Sequence, residues 1–172
     1  MTNIQVALLR GINVGGHAKL PMADLRRLLS DLGARNPRTY IQSGNAVFEG
    51  QLKAEDISNA INAAFGFRPR CLVLSGQAFL DAAAANPFDT SQPKLVHLSF
   101  LAAQPAFDET DLAKQAINNE KWLLRDRVFY LYTPEGYSNS KIPDRIERQL
   151  GVAATARNWN TVSGIVGMIK GA

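Results

Sequence analysis

An α+β fold is what the sequence predicts, on three observations. Strand-like and helix-like patterns follow one another in the order β-α-β-β-α-β, and that order then occurs a second time. The 172 residues are 46% hydrophobic and 20% charged, which excludes a disordered chain and is enough for a core that needs neither disulfide nor metal. No apolar run approaches the about 20 residues that span a bilayer, so no membrane partner is expected. The order used twice is the ferredoxin-like signature, an antiparallel sheet backed by helices. The expectation is two ferredoxin-like halves, residues 1–86 and 87–172, the second with a closing C-terminal helix, packed as one unit.

Each element has its own signal. Ile4 to Leu9 is nearly all apolar, as in a strand covered on both faces. Arg10 to Lys19 is a glycine-rich loop, and Pro21 suits the first turn of a helix. Met22, Leu25, Leu28, Leu29 and Leu32 recur at helical spacing, and Gly33 closes that helix. Arg38–Gln42 and Ala46–Phe48 read as a hairpin around Ser43-Gly44-Asn45. Ile57, Ala60, Ile61, Ala64 and Phe65 mark a second helix, and Arg70–Leu74 a fourth strand. A helix over about 77–85 and a polar connector, 86–93, lead into the second half.

The pattern then restarts. Leu95–Leu101 reads as a strand and Asp108–Ile117 as a helix. Lys121–Leu124 and Val128–Tyr132 form a hairpin turning near Asp126. Ile142, Ile146 and Leu150 mark a helix with Pro143 in its first turn, capped by Ser140 or Asn139. Val152–Arg157 reads as a last short strand, and Val162, Ile165, Val166 and Ile169 as the closing helix, with Thr161 as its cap.

The net charge is +4, a mild excess that permits anionic partners without demanding them. The N-terminal residues lack the charged region and cleavage site of a secretory signal, and a cytoplasmic location is expected. One cysteine, Cys71, excludes an internal disulfide and a multi-cysteine zinc site. It falls within a strand, where a buried inert thiol is expected. Two histidines, His17 and His97, do not make a metal centre, and no metal site is expected. His97 reads as a satisfied core residue, whereas His17 lies in the loop, where acid–base work near neutral pH is open to it.

Three segments carry enough polar chemistry to form a site. In the loop Arg10-Gly11-Ile12-Asn13-Val14-Gly15-Gly16-His17-Ala18-Lys19, a strand comes before and a helix after, the setting in which backbone N–H groups approach an anion. Gly11 and Gly16 fit the spacing GxxxxGK[ST], but His17-Ala18 replaces its Lys and hydroxyl, so nucleotide hydrolysis is not expected there. A plain glycine turn is the competing explanation. Ser43 and Asn45 offer side-chain donors beside the loop, although Gly44-Asn45 is also ordinary hairpin chemistry. The third segment runs from Tyr137 to Thr161: Lys141 and Arg157 suit a carboxylate or phosphate, Asn158 an amide or base edge, and Trp159 a stacking face. The expected ligand-binding set is therefore Arg10, Asn13, Gly15, Gly16, Lys19, Ser43, Asn45, Lys141, Arg157, Asn158 and Trp159. No nucleophile or general base stands out, so catalysis stays open and no cofactor is named.

Those segments carry a family resemblance over essentially the whole chain. ALLRGINVGG at Ala7–Gly16, TYIQSGNAVF at Thr39–Phe48 and SKIPD…IERQLG…TARNWNTV at Ser140–Val162 resemble an uncharacterised, mainly bacterial family, domain-of-unknown-function family 1697. The resemblance implies two ferredoxin-like halves and supplies no activity. The leading functional expectation is a small anionic ligand, bearing phosphate or carboxylate, held by the loop, the 43–45 turn and the 137–161 segment. RNA or single-stranded nucleic-acid binding is the first alternative; it needs aromatics interleaved on a strand, and Asn45–Glu49 supplies only Phe48. A structural or protein-interaction module is the second. The oligomeric state is left open.

Overall fold

The computed structural model describes residues 2–171. The chain divides into two compact units: Met1–Ala83 together with Gly164–Ala172, and Ala84–Ser163. The first contains β1 (Ile4–Arg10), α1 (Met22–Asp31), β2 (Arg35–Tyr40), β3 (Asn45–Glu49), α2 (Ala54–Phe65) and β4 (Arg70–Ser75), with α3 (Gly76–Ala84) following. Its sheet has the order β2-β3-β1-β4, antiparallel throughout. The second contains β5 (Val96–Leu101), β6 (Lys121–Arg125), β7 (Val128–Tyr132), α4 (Ile146–Leu150) and β8 (Ala154–Asn158), in the order β6-β7-β5-β8. The orders are the same once the strands are counted from the start of each unit. The protein is an α+β fold with two ferredoxin-like halves. The last helix, α5 (Trp159–Lys170), starts among the residues of the second unit, and from Gly164 onward its residues belong with the first.

β1 is apolar along most of its length because both its faces are buried. Ala7 and Leu9 join Leu25, Leu29, Ile57, Ile61 and Phe48 in the core beneath α1 and α2. Val6 and Leu8, on the opposite face, are fully buried too. Removing a side chain such as Leu9 or Phe48 from this interior costs on the order of 2–5 kcal/mol. α1 ends as its sequence dictates: Gly33 at φ +103 follows the cap, and the Ala34 N–H donates to the Leu29 carbonyl at 3.0 Å. β2 is an edge strand and tolerates Pro37, where the pairing with β3 is irregular between Arg35 and Arg38. The C-terminal end of α5 is tied to this strand: Arg38 Nη2 donates to the Met168 carbonyl at 3.0 Å, placing a cation on carbonyls that have no partner within the helix.

In the second unit Leu101, Phe129, Leu131, Ile142, Ile146 and Leu150 form the core cluster. The expected helix over 108–117 is corrected to a short 3₁₀ turn, Thr110–Gln115. Only Leu112 of that turn is buried, so no apolar face stabilises a longer helix, and the Asp108 carboxylate takes the Thr110 N–H at 3.0 Å. The 142–150 helix starts with a 3₁₀ turn, Pro143–Arg145, before α4, and Ser140 Oγ accepts the Ile142 N–H at 3.2 Å. The cap expected at Thr161 is also corrected. α5 starts earlier, at Trp159, and Asn158 Oδ1 accepts the Thr161 N–H at 3.0 Å. Among the described residues no helix is long and apolar enough to cross a membrane.

Candidate functional site

In the first unit the glycine-rich loop folds into a miniature hairpin. Val14 and His17 form an isolated bridge, and the His17 N–H donates to the Val14 carbonyl at 3.0 Å. Gly15 and Gly16 at its tip have φ of +59° and +77°, the pair of positive values that a tight hairpin turn requires. That turn accounts for both glycines. Asn13 is the strap beneath it. Its Nδ2 donates to the Leu20 and Gln42 carbonyls at 2.9 and 2.8 Å, and its Oδ1 accepts the Leu20 N–H at 2.7 Å. One amide therefore closes the loop and joins it to the turn after β2.

The turn is fixed from its other side as well. The Leu9 N–H donates to the Gly44 carbonyl at 2.8 Å. A Cβ on Gly44 would lie 2.7 Å from Ile12 Cδ1, so the approach of turn to loop admits no side chain there. Asn45 is fully buried and donates to the Tyr40 carbonyl at 2.9 Å and to Ser43 Oγ at 3.1 Å. Ile41, at φ +52° and half exposed, holds a conformation that β-branched residues rarely adopt. Arg10, Lys19 and Ser43 are exposed around this junction. Loop and turn thus meet at the end of β1, with Arg10, Asn13, Ser43 and Asn45 in one neighbourhood.

Sequence reasoning missed one cation there. Arg70, the first residue of β4, is the direct cross-strand partner of Arg10, the last of β1. Only the antiparallel register brings them together, and no local motif announces it.

In the second unit β8 carries Arg157 opposite Leu98 and Asn158 opposite His97. Burial lowers the Arg157 pKa to about 10, and its Nη1 donates to the Ala156 carbonyl at 2.9 Å. Asn158 is committed to the start of α5, and Trp159, partly buried, is the first residue of that helix. Lys141 is exposed, next to the buried Ser140, whose hydroxyl donates to Glu120 at 2.9 Å. His97 departs from the expectation of a satisfied core residue: its buried Nδ1 has no hydrogen-bond partner among the described residues. Its ring stacks on Tyr137 at 3.7 Å between centroids, and burial lowers its pKa to about 4. The reason is its strand position, where Leu131 and Asn158 are its cross-strand neighbours and the face is already closed by an aromatic ring. Burial pushes the Cys71 thiol up to about 12, which leaves it unreactive at neutral pH. Among the described residues no three His, Cys, Asp or Glu side chains are grouped to hold a metal ion.

A family model described as a protein of unknown function, DUF1697, matches residues 1–130. A solved structure, the conserved bacterial protein SP0830 from Streptococcus pneumoniae, is similar at 25% identity and a TM-score of 0.65, covering 98% of this chain and 99% of that one. No curated protein matches.

Proposed function

The chain belongs to the DUF1697 family of proteins of unknown function, and from that premise we propose that it binds a small anionic ligand, bearing phosphate or carboxylate. In the first unit the proposed contacts are Arg10, Lys19 and Ser43, with Asn13, Gly15, Gly16 and Asn45 shaping the loop and turn that carry them. The observation behind this proposal is the bond from Asn13 to the Gln42 carbonyl at 2.8 Å. It ties two polar segments, far apart in sequence, side by side at a strand end next to an exposed guanidinium. A junction held by backbone hydrogen bonds is preorganised, which lowers the cost of ordering a ligand. In the second unit Lys141, Arg157, Asn158 and Trp159 are proposed as ligand contacts of that unit. Arg157 carries its charge on a partly desolvated guanidinium, the form in which a fork-shaped donor binds an oxyanion most strongly.

The chemistry open to such cations is charge stabilisation. No catalytic residue and no cofactor is assigned. Thermal unfolding against nucleotides, sugar phosphates, carboxylates and short RNA tests the proposal. A ligand at 100 times its dissociation constant adds about 2.7 kcal/mol, or roughly 5–10 °C. A small anion is expected to give that shift, and Arg10→Ala to abolish it in a folded protein. Stabilisation by RNA alone, steeply reduced by salt, would replace the proposal with nucleic-acid binding.

A further inference from the structure

We propose that the cleft between α1 and α2 binds a small monocation with an apolar body, an organic ammonium, at a place apart from the loop and turn described above. The cleft belongs wholly to the first unit and has a volume of about 450 Å³. That size is typical of small-ligand sites, which are largely apolar with a few polar groups. Its apolar part comes from Leu28 and Leu32 on α1 and from Ala60, Ala63, Ala64 and Phe65 on α2. The space has a sequence origin. Three of the four residues that α2 contributes are alanines, whose methyl groups are too short to fill it. Phe65, 36% exposed, leaves aromatic surface open to a ligand.

Charge selects the class of ligand. The polar groups at the cleft are Asp24, Arg27 and Asp31, all on α1. Asp24 and Arg27 form an ion pair at 3.6 Å and largely cancel. Asp31 makes no side-chain hydrogen bond or ion pair among the described residues, so the cleft keeps one uncompensated negative charge. Asp31 is also the last residue of α1, whose last turn holds no basic residue. A carboxylate there opposes the helix dipole, so its charge does not support the helix. Carboxylate and dipole end attract the same species, a cation. Size selects a free ligand over a protein partner. The cleft runs along α1 from Asp24 to Leu32, about 12 Å at the helical rise per residue. A stable protein interface takes about 20–30 residues a side, far more than line this cleft.

Amide chemical-shift titration of the full chain at pH 7 with naphthylmethylammonium, naphthylmethanol and naphthoate tests the proposal. Circular dichroism and melting temperature confirm that each variant is folded. The ammonium is expected to bind with a dissociation constant of about 1 mM or below and to shift amides around Leu32 and Ala64. It is expected to bind about two- to fivefold more tightly than the alcohol, the effect of one exposed ion pair, and naphthoate more weakly than either. Asp31→Asn is expected to remove the preference for the ammonium. Arg27→Gln, which releases Asp24, is expected to increase it about two- to fivefold. Ala64→Leu places a longer side chain in the cleft at an exposed position of α2. It is expected to weaken ammonium and alcohol alike by about tenfold or more, with the melting temperature unchanged or raised. Shifts that map away from the cleft, or binding undiminished in Ala64→Leu, would overturn the site. Equal affinity for ammonium and alcohol, or a preference that neither Asp31→Asn nor Arg27→Gln moves, would overturn the choice of a cation. No binding of the ammonium at about 10 mM overturns both.

Discussion

Gly164 of α5 stands against the ring of Tyr40 on β2. A Cβ built on this glycine would lie 2.7 Å from Tyr40 Cε1 and 2.8 Å from Cε2, closer than real β carbons approach anything. Glycine inside a helix normally costs about 1 kcal/mol relative to alanine. Here the penalty is offset by a close approach of helix to strand. Gly167, one turn on, has nothing within 4 Å of its Cβ position. The two glycines therefore predict opposite signs. Gly164→Ala should destabilise by about 1–3 kcal/mol through overpacking, and Gly167→Ala should stabilise by about 0.5–1 kcal/mol. Denaturant unfolding of both variants measures this, and equal shifts of the same sign would remove the account.

The same helix shows where the sequence stops being readable. Its apolar positions Val162, Ile165 and Ile169 are buried as their spacing says, and β1, α1 and the β2–β3 hairpin are equally legible, from a continuous apolar run, from helical spacing and from the turn residues Ser43-Gly44-Asn45. Thr161 looked like a cap because hydroxyls are good caps, but Asn158 reaches the same N–H from the end of β8. Choosing between them needs the strand's exit geometry. The 3₁₀ turn at Thr110–Gln115 shows the other limit, since its pattern fits a helix and only the lack of a buried face shortens it. Of the candidate site, the loop and turn were visible as compositions. Their union through Asn13, and the pairing of Arg10 with Arg70, depend on register between strands that the sequence separates widely.

Asn13 predicts a local loss with a global cost. Its amide makes three hydrogen bonds to backbone groups of Leu20 and Gln42. Asn13→Ala leaves those groups without this partner, and the loop's own positive-φ position, φ +54° at Asn13, suits alanine less well. A loss of about 1–3 kcal/mol is expected. Amide exchange should accelerate first at Leu20, whose N–H donates to Asn13. Unchanged protection at Leu20 in a variant of native stability would show that the strap is unimportant.

Glu120 contributes to the acid end of the stability curve. Burial alone would raise its pKa, but the backbone N–H groups of Asn118 and of Glu120 itself, with the Ser140 hydroxyl, outweigh burial and lower it below 4.5. The Ser140 Oγ–Glu120 distance is 2.9 Å. A carboxyl with a folded pKa below its unfolded value stabilises above the unfolded value, and that contribution fades as pH falls through the folded one. Glu120→Gln should therefore reduce stability at pH 7 and make the loss below pH 4.5 less steep. Parallel acid limbs for the native protein and the variant would refute this role.

His97 acts at higher pH and through a different imbalance. Burial lowers its pKa from 6.5 to about 4, so between those values the unfolded chain binds a proton that the folded imidazole does not. Stability must then rise with pH across that window and be complete above about 6.5, while below about 4 the cost of protonating this group is constant and adds no slope. The slope cannot exceed about 1.4 kcal/mol per pH unit for one proton. His97→Phe removes the proton and retains an aromatic ring to stack on Tyr137, which lies 3.7 Å from the imidazole centroid. The variant should lose the slope between pH 4 and 6.5 while keeping the steeper fall below it, which belongs to Glu120 and other carboxylates. Since the buried Nδ1 has no hydrogen-bond partner among the described residues, the exchange should also leave stability at pH 7 unchanged or raised. Urea unfolding at half-unit pH steps reads both effects at once. A native slope that persists in His97→Phe would assign the titration to another group.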